Sequence, residues 1–172
     1  MNSSSRRCLR VAVAAGLYLA FLGGAGATNS TQIVITATVT PDPCTVSSSS
    51  DNQTVQLDDV SADTLQNTGA TSPQKDFSLS MTCPAGTTGV TYRFSGSADP
   101  ADASNFRNNG TATNVAVRLY KDDGTTIAPG NSYTRSVRAG TVTEAFKTAM
   151  YSNGLALPGT VSSTITINMT YQ

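Results

Sequence analysis

The chain has 172 residues, with 11 basic and 11 acidic side chains and no histidine or tryptophan. That length suffices for one domain with its own core. The absence of histidine excludes Ser–His–acid chemistry, and the lack of a basic excess argues against nucleic acid or an anionic membrane as partner.

The first 27 residues read as a secretory signal peptide. Arg6, Arg7 and Arg10 precede the apolar run Val11–Leu22, and Ala25-Gly26-Ala27 supplies small residues for cleavage. The run falls short of the roughly 20 residues a spanning helix needs. Cleavage would remove three of the 11 basic residues and none of the 11 acidic ones, leaving a net charge of about −3. It would also remove Cys8, so Cys44 and Cys83 remain as a pair in an oxidising compartment. A disulfide is the expected outcome. Metal binding and thiol catalysis compete poorly, because the chain has neither histidine nor a CxxC spacing.

The segment TQIVITATVTP (31–41) alternates Ile33, Ile35, Ala37 and Val39 on one side with mostly polar residues on the other. A period of two predicts a strand with one buried face. About ten residues in this conformation reach roughly 33 Å, and left exposed they would template aggregation. Pro41 and Pro43 interrupt any ladder, since proline has no amide hydrogen to donate. Cys44 then pins the chain. The arrangement reads either as an arm jointed to a body or as the first strand of the protein's own sandwich, and alternation does not distinguish them.

Further alternating runs follow at Phe77–Cys83, Val90–Phe94, Val115–Leu119, Phe146–Met150 and Ile165–Tyr171. Turn residues separate them: Pro84-Ala85-Gly86, Asn109-Gly110, Asp123-Gly124, Pro129-Gly130-Asn131, Asn153-Gly154 and Pro158-Gly159. Asp123-Gly124 predicts a tight hairpin. Residues 47–52 read as a polar loop, and residues 58–65 as either a short helical turn or an irregular crossover. The predicted class is an all-β sandwich.

Catalytic signals are weak. Asp58-Asp59 and Asp122-Asp123 are adjacent acids, which on a strand point to opposite faces and so make poor acid–base pairs. Asp58, Asp59 and Asp63 follow no calcium-loop pattern. No enzyme activity, cofactor or metal site is expected. The Asn-x-Ser/Thr triplets at Asn29, Asn52, Asn109 and Asn168 are expected by chance in a chain this rich in these residues.

Several stretches together resemble the pilus subunits assembled by the chaperone–usher route. They are the arm before Cys44, the Cys44 and Cys83 pair, CPAGTTGVTYRFSGSAD (83–99), NNGTATNVAVRLYKDDGT (108–125), Leu157-Pro158-Gly159 and the ending Thr170-Tyr171-Gln172. The chain looks most like the short adaptor subunits of type 1 fimbrial tips, with the major rod subunit next, and has no room for a second receptor-binding domain. The resemblance implies an immunoglobulin-like β-sandwich lacking its last strand, completed by a donor strand from a neighbouring subunit. It divides the chain into a donor-strand extension (28–42) and a pilin domain (43–172). Ile33, Ile35, Ala37 and Val39 would be the donated side chains. Ile165, Ile167, Met169 and Tyr171 would form the groove-edge strand that a periplasmic chaperone engages before the outer-membrane usher delivers the subunit to the fimbrium at the cell surface. One position departs from the family: Ala37 stands where a glycine is common. The competing expectation is a self-complete secreted sandwich that binds a glycan or protein.

Overall fold

The computed structural model describes residues 36–37 and 42–172. The signal segment and Ile33, Ile35 and Val39 lie outside the described residues. Ala37 is exposed.

Two antiparallel sheets face one another. The larger has strand order β1-β2-β7-β4-β5, built from β1 (Thr45–Val46), β2 (Lys75–Cys83), β7 (Gly140–Leu157), β4 (Thr113–Lys121) and β5 (Thr126–Ile127). The smaller has order β6-β3-β8, from β6 (Ser132–Ser136), β3 (Gly89–Ser95) and β8 (Thr166–Tyr171). Among the described residues the one helical element is a single 3-10 turn, Ala62–Leu65, capped by the Ser61 side chain. The chain is an incomplete immunoglobulin-like sandwich, whose smaller sheet holds three strands among the described residues.

Alternation places the core. On β3, Val90, Tyr92 and Phe94 point inward and are fully buried. They meet Leu79, Met81 and Cys83 of β2, Val117 and Leu119 of β4, and Phe146 of β7 in one cluster. Aromatic rings meet at Phe146: Phe94 of the smaller sheet approaches it edge-on at 5.6 Å, and its ladder partner Phe77 stacks on it within the larger sheet at 5.4 Å, separations that favour such pairs beyond simple burial. A second, smaller cluster gathers Leu65, Val115, Met150 and Ala156. Cys44 and Cys83 are joined in a disulfide, which ties the start of the domain to the end of β2.

One sequence expectation changes and one left open is resolved. Asn153-Gly154 is not a turn: β7 runs unbroken through it to Leu157. Gly154 sits at φ +150. β7 bulges there: Thr113 pairs with Leu157 and Val115 with Ser152, so residues 153–156 stand opposite Asn114 alone, which takes φ +57. Residues 58–65 resolve into an extended crossover followed by the 3-10 turn. The Asp123-Gly124 turn does close a tight hairpin, with the Gly124 amide donating to Lys121 and the Lys121 amide to Thr125.

Candidate functional site

The smaller sheet ends abruptly at β8. That strand is antiparallel to β3 in the register Phe94↔Ile167 and Tyr92↔Met169, and among the described residues nothing pairs with its other edge. Ile165, Ile167, Met169 and Tyr171 alternate with Thr166, Asn168 and Thr170, and every one of the four apolar residues is only half-buried. A last core strand in a closed sandwich would be covered from both flanks. Here the apolar face looks into a cavity of about 1150 Å³.

Three walls shape this groove. Ile165, Ile167 and Met169 of the β8 segment form one wall. The base is apolar and comes from the larger sheet: Phe77 and Leu79 of β2, Val117 and Leu119 of β4, and Met150 of β7. The opposite wall is the extended stretch 51–60, where Val55, Leu57 and Val60 are half-buried. Residues 52–60 make no backbone-to-backbone hydrogen bond with other described residues. The groove therefore has unpaired main chain on both sides and apolar side chains beneath, the arrangement that accepts an extended segment by strand addition.

Of the predicted groove-edge residues, the structure brings Ile165, Ile167 and Met169 to the cavity. Tyr171 does not line it; like the other three it packs against the main core cluster, and burial pushes its phenol pKa above the ordinary value. The carbonyl of the next residue, Gln172, accepts from the amides of Thr88 and Gly89, which fixes this end of the strand. Sequence reasoning overlooked Val55 and Leu57. Their own spacing of two was the available signal, diluted by the polar residues around them.

The lower end of the groove is held by a clasp between residues 108–112 and 159–162. The Thr160 amide donates to the Thr111 hydroxyl at 2.9 Å, the Thr111 amide to the Thr160 hydroxyl at 3.1 Å, and the Ala112 amide to the Thr160 carbonyl at 3.0 Å. The crossing is so close that a Cβ on Gly110 would sit 2.1 Å from the Thr160 carbonyl oxygen, and one on Gly159 2.3 Å from the Ala112 nitrogen. This clasp delivers Val161 to both core clusters and sets where β8 begins.

No group of three or more potential metal ligands occurs among the described residues. Asp122 pairs with Lys147 and Asp58 with Lys75, both at the surface. One acid of each adjacent pair is thus held by a lysine.

A sandwich of antiparallel sheets with an open, apolar, strand-wide groove defines a class of protein that is unfinished by itself. The comparisons place the chain within that class. The sequence profile of the Fimbrial protein family matches residues 33–172, and the chain belongs to that family. It is 37% identical over 143 residues to Protein FimG of Escherichia coli (strain K12), covering 81% of this chain and 83% of that protein. Its fold matches the P pilus rod subunit PapA with a TM-score of 0.66 at 18% identity, over 76% of this chain and 100% of that one. It also matches a chain of a chaperone–usher pilus with a TM-score of 0.66 at 19% identity, over 84% and 96% of the two chains. At these identities the two structures speak for the shared fold. The chain is a structural subunit of a surface fimbria and assembles with neighbouring pilus subunits.

Proposed function

We propose that the chain is a minor, adaptor-type fimbrial subunit that both accepts and donates a β-strand. The observation that carries this reading is the apolar wall of Ile165, Ile167 and Met169 beside an edge without a partner strand among the described residues. In this reading residues 28–42 are the donor extension and residues 43–172 the pilin domain. Ile33, Ile35, Ala37 and Val39 enter the groove of the next subunit, while a neighbour's arm enters this one between β8 and residues 53–57. Burying Ile33, Ile35 and Val39 contributes about 1.5–3 kcal/mol each, and the main-chain ladder roughly 1 kcal/mol per bond. Ordering the arm costs about 1–2 kcal/mol per residue. The sum favours insertion because the same strand also covers the acceptor's core.

An exposed groove of this kind needs a placeholder before assembly. A periplasmic chaperone engaging Ile165, Ile167, Met169 and Tyr171 fits that need, with export through the periplasm and an outer-membrane usher completing the route. The polymer grows because head-to-tail donation is heterologous and does not close on itself. No catalytic step is assigned. The adaptor position rests on the resemblance to short tip subunits and on the identity with Protein FimG.

Deleting residues 28–40 tests the arm. The truncated subunit should still bind a donor peptide in its groove but should end a growing fibre. A truncated subunit that continues to elongate fibres would refute the assignment.

A further inference from the structure

Leu155 and Leu157 are the exposed large hydrophobic residues among the described ones, at 58% and 53% of full exposure. They sit two apart at the end of β7, so their side chains share one face of the strand roughly 7 Å apart. Between them Ala156 turns inward to the smaller core cluster. Leu157 also lines the groove, and Leu155 does not. The pair therefore forms an apolar ridge that continues out of the groove's lower mouth.

We propose that this ridge seats the body of a second copy of this chain whose arm fills the groove, an inference that rests on the strand-donation reading above. Chain length makes the contact unavoidable. Every ladder in both sheets is antiparallel, and an added strand that keeps this pattern runs opposite to β8. Its last residues then lie beside Ile165 and the Leu157 end of the cavity. The four alternating apolar positions from Ile33 to Val39 match the four from Ile165 to Tyr171. With Val39 level with Ile165, Cys44 follows five residues later and is buried in the donor's own body. Five extended residues span at most about 17 Å, and Pro41 and Pro43 stiffen them. The donor body comes to rest against the pole that carries the two leucines.

The face it presents is chemically suited. Around the donor's Cys44–Cys83 bridge stand Pro43 and Ala85, both exposed, and Pro84, half-buried. Cys83 pairs with Gly140, the first residue of β7, whereas Leu157 is its last. Each subunit thus offers a proline–alanine face at one end of its longest strand and a leucine ridge at the other. Stacked head to tail, the two apolar surfaces cover each other and fix the angle between successive subunits.

The test uses residues 28–172 as wild type, L155D and L155T. Each is titrated with a synthetic peptide of residues 28–40, which stops short of both prolines, and each is followed for chain-to-chain association by sedimentation velocity. Peptide affinity should stay within twofold in all three, which also shows that the variants fold. Association between whole chains should weaken at least tenfold in L155D and by a smaller factor in L155T. Cysteines placed by L155C and A85C should form an inter-chain disulfide that requires the arm. Unchanged association with intact peptide binding, or associated chains that give no such cross-link, overturns the seat and leaves the groove standing. Failure of the peptide to bind the wild-type chain overturns groove and seat together.

Discussion

Phe94 and Ile167 are direct partners across the β3–β8 ladder, yet Phe94 is fully buried and Ile167 only half-buried. One strand separates the densest part of the core from a wall that faces open space. The step is too abrupt for a sheet edge meeting solvent, where polar residues would take over. It is the profile of an interior cut through one strand early.

Shortening Ile167 should therefore injure binding more than folding. Ile167→Ala removes apolar surface that an inserted strand would cover, about 1.5–2 kcal/mol, which corresponds to roughly 10–30-fold in affinity. Calorimetric titration with the 28–40 peptide measures this directly. The unliganded variant should unfold within a few degrees of the wild type. An affinity unchanged from wild type would mean that β8 does not border the occupied site.

The disulfide matters more to this fold than to a closed sandwich. Cys44 and Cys83 are 39 residues apart, and closing a loop of that size is worth roughly 4 kcal/mol on the chain-entropy account. Small domains have only about 5–15 kcal/mol in total, and one that lacks a strand starts low. Replacing both cysteines with serine should abolish a cooperative thermal transition in the unliganded chain. Saturating peptide at 100 times its dissociation constant restores about 2.7 kcal/mol and should bring a transition back. A double variant that melts like wild type without peptide would show that the bridge is dispensable.

Much of this architecture was legible in the sequence, for identifiable reasons. Val90–Phe94 and Phe77–Cys83 have one polar and one apolar face, so their alternation survives as written. β6 was missed because Ser132–Ser136 carries one large apolar side chain, Tyr133, and its place comes from pairing with β3. β7 was read only at Phe146–Met150, since Asn153-Gly154 has the chemistry of a turn. The backbone instead carries Gly154 through the strand in a bulge, residues 153–156 standing opposite the single residue Asn114. The groove posed a deeper difficulty. A strand lining an open cavity and a strand inside a closed core bury the same face, so Ile165–Tyr171 reads identically in both. What separates the two is whether a strand lies on the far side of β8, where none does among the described residues, and that is a relation between strands rather than a local property.

The outer face of β4 carries a polar assembly with its own pH signature. Arg118 donates to Asn105 Oδ1 at 2.6 Å and to Asp102 Oδ2 at 3.1 Å, and its guanidinium lies 3.5 Å from the centre of the Tyr151 ring. Asp102 is held below the ordinary carboxylate range, first by hydrogen bonds from Ser104 and then by Arg118 and Asn105. A depressed folded-state pKa stabilises the native state above the unfolded value near 3.8 and ceases to do so as pH falls through the folded value. Asp102→Asn should therefore lower the urea midpoint at pH 7 by an amount equivalent to about 1 kcal/mol, and the gap to wild type should close as pH falls through the depressed folded value. A gap that persists unchanged at low pH would assign the loss to packing instead of charge.

The clasp at the groove's lower end gives the sharpest structural test. Gly110 and Gly159 are not required by unusual backbone angles. They are required because the 108–112 and 159–162 segments cross with their main chains in contact. Backbone cannot swing aside as a side chain can, so a methyl group at either position must push the segments apart. Gly159→Ala should break the reciprocal Thr111–Thr160 bonds and release Val161 from both clusters, costing about 2–4 kcal/mol. The displaced segment leads directly into Ile165, so peptide affinity should fall together with stability. Hydrogen exchange separates the two effects: the Ala112 and Thr160 amides should lose protection first, while the β2–β7 ladder keeps its own. Full retention of protection at Ala112 in the alanine variant would mean that the crossing has slack, and that something other than the clasp sets the starting point of β8.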